Sequence, residues 1–487
     1  GGALTGKISA AKGDIGGRIL LSGLSGKLGT ISTSLKKPVE LTLKINAEQR
    51  GLRYQQVAIT SSFAEITLNG TDKRLDYRAE VSLDRMSSEL GQFIDLKRHS
   101  INGRLNVSGQ ITTQAKITQI AGSAQGHNLS YSLDSSPLLK KSAPSVDFRI
   151  KTDSSLKRLE LDSVKLQSRL GILTARDSFI PVRDSKKKLL LNLDVSGMDL
   201  EQIGRLTAQF AESRPPALSG QAGANLKITS GQDSYTVSVM EAAVRNPRIE
   251  FSNRSSLFQK DLSGSGIINF SHGKSRLGIS DLRIKTDAFA VKDGNFRQYP
   301  EDSSIRIESE LEYQYDWKDL SLLTADFIPA GLHLEGERAD RISVSTRYTP
   351  GAYEEALSNI DLKAETGFKK ASYKGLEFGP ASLKTVIEKG KMTLRPFTTS
   401  VNGGKLSFAA DIDLTERPAR LRLSRPTQII QQVQINDRIC DELLSNLNPV
   451  FVNQVDANGI ADLHCEKLVI PLGKDTGEYP EIEGTVS

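Results

Sequence analysis

The feature that most constrains this chain is a two-residue hydrophobic rhythm that runs nearly from end to end. Leu41, Leu43 and Ile45 alternate with Thr42, Lys44 and Asn46. Tyr77, Ala79, Val81 and Leu83 alternate with Arg78, Glu80 and Ser82. The same beat recurs at Ile66 and Leu68, Leu105 and Val107, Phe148 and Ile150, Leu191 and Leu193, Leu226 and Ile228, and Leu406, Phe408, Ala410 and Ile412. Successive side chains of an extended strand point to opposite faces, so each segment offers one apolar and one polar face. Gly, Asn, Asp and Ser punctuate the segments at hairpin intervals. The expected fold is therefore mainly β, with antiparallel sheets that keep one face wet.

Four segments break the beat and predict short helices near 85–97, 199–212, 316–328 and 435–448. Met86, Leu90, Phe93 and Ile94 share one helical face behind Asp84; Leu200, Ile203, Leu206 and Phe210 do so behind Asp199. Trp317, Leu320, Leu323 and Phe327 follow Asp316, and Ile435, Ile439, Leu443 and Leu447 end before Pro449. These helices recur every 115–120 residues or so, and a glycine-led strand follows each. The spacing predicts units of many strands plus one helix over 1–110, 111–230, 231–345 and 346–487. Units of this kind make a quasi-linear body. The chain opens at Gly1-Gly2-Ala3 and stops in strand-like text at Thr485-Val486-Ser487. It reads as a segment of a longer protein.

Chemistry is hard to place on this text. The five histidines are not spaced as metal ligands, and His464 beside Cys465 would need Cys440 and a fourth donor. No nucleophile elbow or phosphate loop is present, and Gly264-Ser265-Gly266 leads into a strand. Asp411 and Asp413 share one strand face, where a wet surface explains them without a glycosidase pair. A net charge of +6 is a mild excess, and Lys186-Lys187-Lys188 has no interleaved aromatics. That argues against nucleic acid as a partner. No stretch reaches the ~18 apolar residues of a membrane-spanning helix. Cys440 and Cys465 are either two buried thiols or, in an oxidising compartment, a disulfide. No cofactor, metal site or catalytic set is nominated.

The final third carries a family likeness. Lys389 to Phe397, with its Arg395-Pro396-Phe397 ending, precedes Ser400-Val401-Asn402-Gly403-Gly404-Lys405-Leu406-Ser407. A short helix then leads through Asn448-Pro449 to Gly459 and Val469-Ile470-Pro471-Leu472. Over about 100 residues this resembles the AsmA-like proteins of bacterial envelopes, relatives of TamB and YhdP and similar to bridge-like lipid transfer proteins. The resemblance implies an elongated, twisted sheet forming an open groove, and a non-enzymatic protein of the periplasm or cell envelope. It would carry phospholipid or another acyl lipid between inner and outer membranes, anchored through segments absent here. On that reading the apolar members of the alternation named above, other than Tyr77, Ala79 and Ala410, line the groove. The alternatives are a structural β-repeat scaffold or assembly factor with closed cores, and, more remotely, a carbohydrate-active solenoid. The single Trp and 6% aromatic content count against the last.

Overall fold

Between the Gly- and Asx-marked turns the alternating segments extend and pair with their neighbours along the chain. The computed structural model describes residues 3–487 apart from 24, 29–30, 35–36, 49–50, 91–98, 134–135, 154–157, 183–187, 208–216, 232, 251–255, 272–275, 324–330, 353–354, 417, 443–458 and 473–480. The protein is mainly β, and the described pairings are antiparallel. Turn chemistry sets several hairpins. Lys12-Gly13 (φ 48° and 89°) and Asn402-Gly403 (φ 41° and 78°) both take the left-handed region. Two-residue hairpin turns need this to match strand twist, and glycine adopts it without steric cost.

The chain divides into two units, Gly1–Gln232 and Asp233–Ser487. In the first, the strands Ala3–Ala11, Asp14–Ser22, Val39–Glu48, Gly51–Thr60, Ala64–Thr71 and Arg74–Ser82 pair in chain order. The order continues through His99–Gln114, Ile117–Leu133, Ser145–Asp153, Arg158–Ser168, Gly171–Pro181, Leu190–Asp199 and Ala217–Ser230. Two excursions leave this ladder: a hairpin of Ser25–Leu28 with Ile31–Ser34, and the strand Ser136–Ser142. Helices Leu83–Leu90 and Leu200–Thr207 follow strands that run in the same direction, so both sit at the same margin of the sheet.

The second unit is also paired largely in chain order. Strands Ser234–Glu250, Asp261–Ser271, Arg276–Thr286, Phe289–Glu301, Ser304–Asp316 and Glu337–Tyr348 pair in order. Asp361–Phe368, Ala381–Glu388, Lys391–Val401 and Gly404–Asp413 continue it. A broken strand, Ala419–Leu423 with Thr427–Ile435, then pairs with Gly459–Leu472, and Glu481–Val486 follows. The short strands His333–Glu335, Lys370–Tyr373 and Leu376–Phe378 form a small ladder that joins the main one where Phe378 pairs with Val401. Helix Trp317–Leu323 closes one strand and Asp437–Glu442 another, with a further turn of helix at Glu355–Ser358. Register shifts recur along the ladder, as at Tyr54/Val57, Arg149/Ile150, Arg176/Phe179, Val239/Ala242, Val291/Asp293 and Leu394/Phe397. Each extra residue bends its strand and raises the local twist.

The four predicted helices thus begin near their expected starts. Their later apolar positions, Phe93, Ile94, Phe210, Phe327, Leu443 and Leu447, lie outside the described residues, as do Lys186, Lys187, Asn448 and Pro449. Leu83 and Ile435 depart from expectation. Leu83 opens the helix Leu83–Leu90 rather than extending the beat of Tyr77, Ala79 and Val81, and Ile435 ends the strand Thr427–Ile435, paired with Gly459, rather than starting the helix Asp437–Glu442.

Candidate functional site

Residues paired across a ladder share a face, so the register traces each face from strand to strand. In the first unit one face carries Ile15, Ile19 and Leu21, then Leu41, Leu43 and Ile45, then Val57 and Ile59. It continues through Ile66 and Leu68, Tyr77, Ala79 and Val81, and Leu105, Val107 and Ile111. Phe148 and Ile150, Val164 and Leu166, Leu173 and Ala175, Leu191 and Leu193, and Leu226 and Ile228 complete it. No Asp, Glu, Lys or Arg stands on this face among the described strand residues. Apart from Leu83, the residues picked out by alternation in this unit fall together here.

Most of these side chains are half-buried, neither exposed like their polar neighbours nor sealed in. Among the described residues of this unit, Leu161 and Ala175 are the apolar ones that are fully buried. A sheet covered by a second sheet buries its inner face throughout; this one does not. The face is also shaped. Gly109 and Gly122 oppose each other, and the Tyr77 ring lies over both: a Cβ on Gly109 would meet the Tyr77 hydroxyl at 2.6 Å and one on Gly122 at 2.5 Å. The Tyr77 hydroxyl donates to the Ala121 carbonyl at 3.5 Å, and burial raises its pKa.

The corresponding face of the second unit carries Val237 and Val239, Ile268 and Phe270, Ile279 and Ile284, Phe289, Val291 and Phe296, and Ile305, Ile307 and Leu311. It runs on through Ile342 and Val344, Leu362, Ile387, Met392 and Leu394, and Leu406, Phe408, Ala410 and Ile412. Phe397 and Phe408 meet edge to face across the ladder, with centroids 6.4 Å apart. Leu406, Phe408 and Ile412 therefore share one face, as alternation expects.

One charged pair stands on this second face. Arg338 and Asp340 oppose Tyr315 and Tyr313 across the ladder. The Arg338 guanidinium donates to Asp340 Oδ1 at 2.7 Å, and the Tyr315 hydroxyl donates to Oδ2 at 2.8 Å. Tyr315 also meets Thr366 Oγ1 at 2.9 Å, and Trp317 Nε1 donates to the Gly367 carbonyl at 2.6 Å. The Tyr313 and Tyr315 rings stack at 5.6 Å, with Trp317 edge-on to Tyr315 at 5.1 Å. Asp340's side chain is 2% exposed and Arg338's 23%. The Asp340 hydrogen bond is the largest of the causes that raise the Arg338 pKa. Burial pushes the Tyr313 phenol up to about 12, with the neighbouring Tyr315 and Asp340 adding to the shift. Alternation runs in phase from Arg338 and Asp340 into Ile342 and Val344, and that phase is the sequence signal that puts the pair on the apolar face.

From this cluster a buried margin runs along the same strand ends. Ala371, Ala381, Val401, Val433, Ile439 and Cys440 are each at most 6% exposed. Gly375 approaches the backbone of Arg438 and Ile439 so closely that a Cβ would clash, which ties the small ladder to helix Asp437–Glu442.

Cys440 and Cys465 are free thiols, not a disulfide. Cys440 lies on the helix beyond Ile435, which pairs with Gly459, whereas Cys465 pairs with Thr427. Six residues of extended strand, roughly 20 Å, separate Gly459 from Cys465. The Cys465 thiol donates to the Lys467 carbonyl at 3.3 Å. Asp411 and Asp413 do share the polar face. Asp411 accepts from Thr393 at 2.9 Å, and hydrogen bonds from the Thr415 hydroxyl and N–H hold Asp413 below the usual carboxylate range. Gly264-Ser265-Gly266 lies inside the strand Asp261–Ser271. Among the described residues no cluster of His, Cys, Asp or Glu suits a metal, and no helix is long and apolar enough to cross a membrane. The open concavities are lined chiefly from the polar side, such as one of 410 Å³ by Asn295, Arg297, Arg306 and Glu308.

Compared with known proteins, the chain matches no protein-family model and no curated sequence.

Proposed function

We infer that this protein is a non-enzymatic carrier of acyl lipid, in which the apolar face of each unit forms an open track. The observation that carries this reading is the face of the first unit. It is free of charge across consecutive strands, yet half-buried rather than closed by a second layer. An apolar face left to water is an aggregation hazard and marks a binding surface. Lipid tails satisfy such a face without directional chemistry, each buried methylene contributing ~0.8 kcal/mol. The sequence likeness to AsmA-like proteins supports a place in the bacterial cell envelope, carrying phospholipid between membranes. The strand order supports a repeated unit of six long strands capped by a short helix, since helices Leu83–Leu90 and Leu200–Thr207 are separated by six strands of the main ladder.

The test is purification without detergent, followed by mass spectrometry of an organic extract. Several phospholipids per chain are expected, and a lipid-free monodisperse protein would sink the proposal.

One observation favours a second reading for the last part of the chain. Val401, Val433, Ile439 and Cys440 form a sealed cluster, as a scaffold with closed cores would. That region closes the track of the second unit in our reading.

A further inference from the structure

Resting on that reading, we propose that the cluster of Tyr313, Tyr315, Trp317, Arg338 and Asp340 is a stop for acyl chains in the second unit. It seats the methyl end of a tail against it and leaves the headgroup at the opposite strand ends.

Three observations converge. First, Arg338 and Asp340 are the charged residues on an apolar face that is otherwise uncharged among the described strand residues. Second, the space above the face is already filled here by the chain's own side chains. Tyr315 is 3% exposed, whereas Ile305, Ile307, Leu311, Ile342 and Val344 on the same strands are half-buried. A tail that advanced past Leu311 would have to displace Tyr315. That would strip Asp340 of its phenol donor and Gly367 of the cover of Trp317, and alkyl groups return no hydrogen bond. Third, the width fits. Ile305 to Leu311 spans roughly 20 Å of strand, and a tail reaches about 15 Å, half of a ~30 Å hydrocarbon core. The far end of the track, at Ile305 and Tyr348, lies near strand ends where Glu301, Arg306 and Arg347 stand on the polar face, both arginines pairing with Glu301. A headgroup held there stays in water.

The cluster also anchors helix Trp317–Leu323, and that role alone would place no polarity on a bound tail. Polarity is what the experiment reads. The full chain is loaded with two photoreactive palmitic acids, one with a diazirine at the terminal carbon and one with it beside the carboxylate, and labelled residues are mapped by peptide mass spectrometry. The terminal probe should label Leu311, Tyr313 and Ile342 at least fivefold more than Ile305 and Tyr348. The carboxyl-side probe should show the reverse, and neither should label Thr366 or Phe368. Equal labelling of both ends by both probes, or labelling of Thr366, overturns the stop. Labelling confined to the first unit also overturns it while leaving the lipid reading intact, and no labelling anywhere removes both. Arg338→Leu combined with Asp340→Leu should raise Thr366 labelling severalfold. If that variant does not fold, the polarity in the unaltered protein decides alone.

Discussion

A single carboxylate placed on the apolar face separates an open track from a closed core. Val107 sits mid-strand on that face, between Ala79 and Ala124, and is half-buried. Its neighbour Ser108 is exposed on the polar face, between Arg78 and Ser123. In Val107→Asp the new carboxylate of an open sheet reaches water by a small rotation. The cost is then about 1 kcal/mol, the span of strand propensity. Beneath a second packed layer the same group would be trapped without a partner, at more than about 4 kcal/mol. Lipid occupancy responds in the opposite sense. A charge in hydrocarbon costs about 3 kcal/mol, which is roughly 100-fold in affinity for a tail crossing that point. Urea unfolding measures the first quantity and native mass spectrometry of bound lipid the second, each with Ser108→Asp as the control. The expected outcome is near-normal stability with at least one lipid lost relative to the control. Loss of more than about 4 kcal/mol, or equal lipid counts in the two variants, would refute the reasoning.

Other perturbations follow from geometry already described. Asp199 caps helix Leu200–Thr207, accepting the Glu201 and Gln202 N–H groups at 3.0 and 3.1 Å; Asp199→Ala should cost about 1 kcal/mol, read as faster amide exchange over that helix. Asp340→Ala strands Arg338 and should cost roughly 3 kcal/mol, most of it recovered when Arg338→Leu is added, which a double-mutant cycle in urea will show. Tyr313 has a folded pKa raised from 10.0 to about 12, so the stability it contributes is complete below pH 10 and is lost as pH rises through about 12; Tyr313→Phe should flatten an alkaline unfolding curve in that window. Both thiols should resist a thiol-reactive dye until the protein is unfolded, and reductant should leave the melting temperature unchanged, because Cys440 and Cys465 are buried and free.

Alternation made much of this fold legible. A period of two allows one choice of face per strand, and turn residues such as Lys12-Gly13 and Asn402-Gly403 fix where the choice resets. Because successive strands pair in chain order, the local choice propagates, and Leu41, Leu105, Phe148 and Leu226 end on one face without any long-range information. The same rule failed where local and tertiary preferences compete. Leu83 keeps the beat, but Ser82 and Asp84 begin a helix there, the Ser82 hydroxyl donating to Asp84 at 3.2 Å. Extra residues such as Asp162, between the paired Leu161 and Ser163, shift the phase in a way alternation cannot foresee. The Cys440 and Cys465 question depended on which strand ends come together, and that information is spatial. Arg338 and Asp340 were overlooked because charged residues read as wet by default. Their alternation in phase with Ile342 and Val344 puts them on the apolar face, and Tyr315, whose hydroxyl donates to Asp340, covers them there.

The chain-order ladder bears on how such a protein comes to be folded. Each strand finds its partner in the stretch made just before it, so loop closure is short at nearly every step and the contact order stays low for an all-β chain. Folding need not wait for the C-terminus. A chain emerging from a ribosome or a translocation pore can add strands one at a time, as repeat proteins propagate from any seed. During that growth the newest strand always presents an unpaired edge, the feature most prone to joining another molecule. The pause between one strand and the next is therefore the moment at which this architecture is most exposed to misassembly, and at which a chaperone would gain the most by holding it.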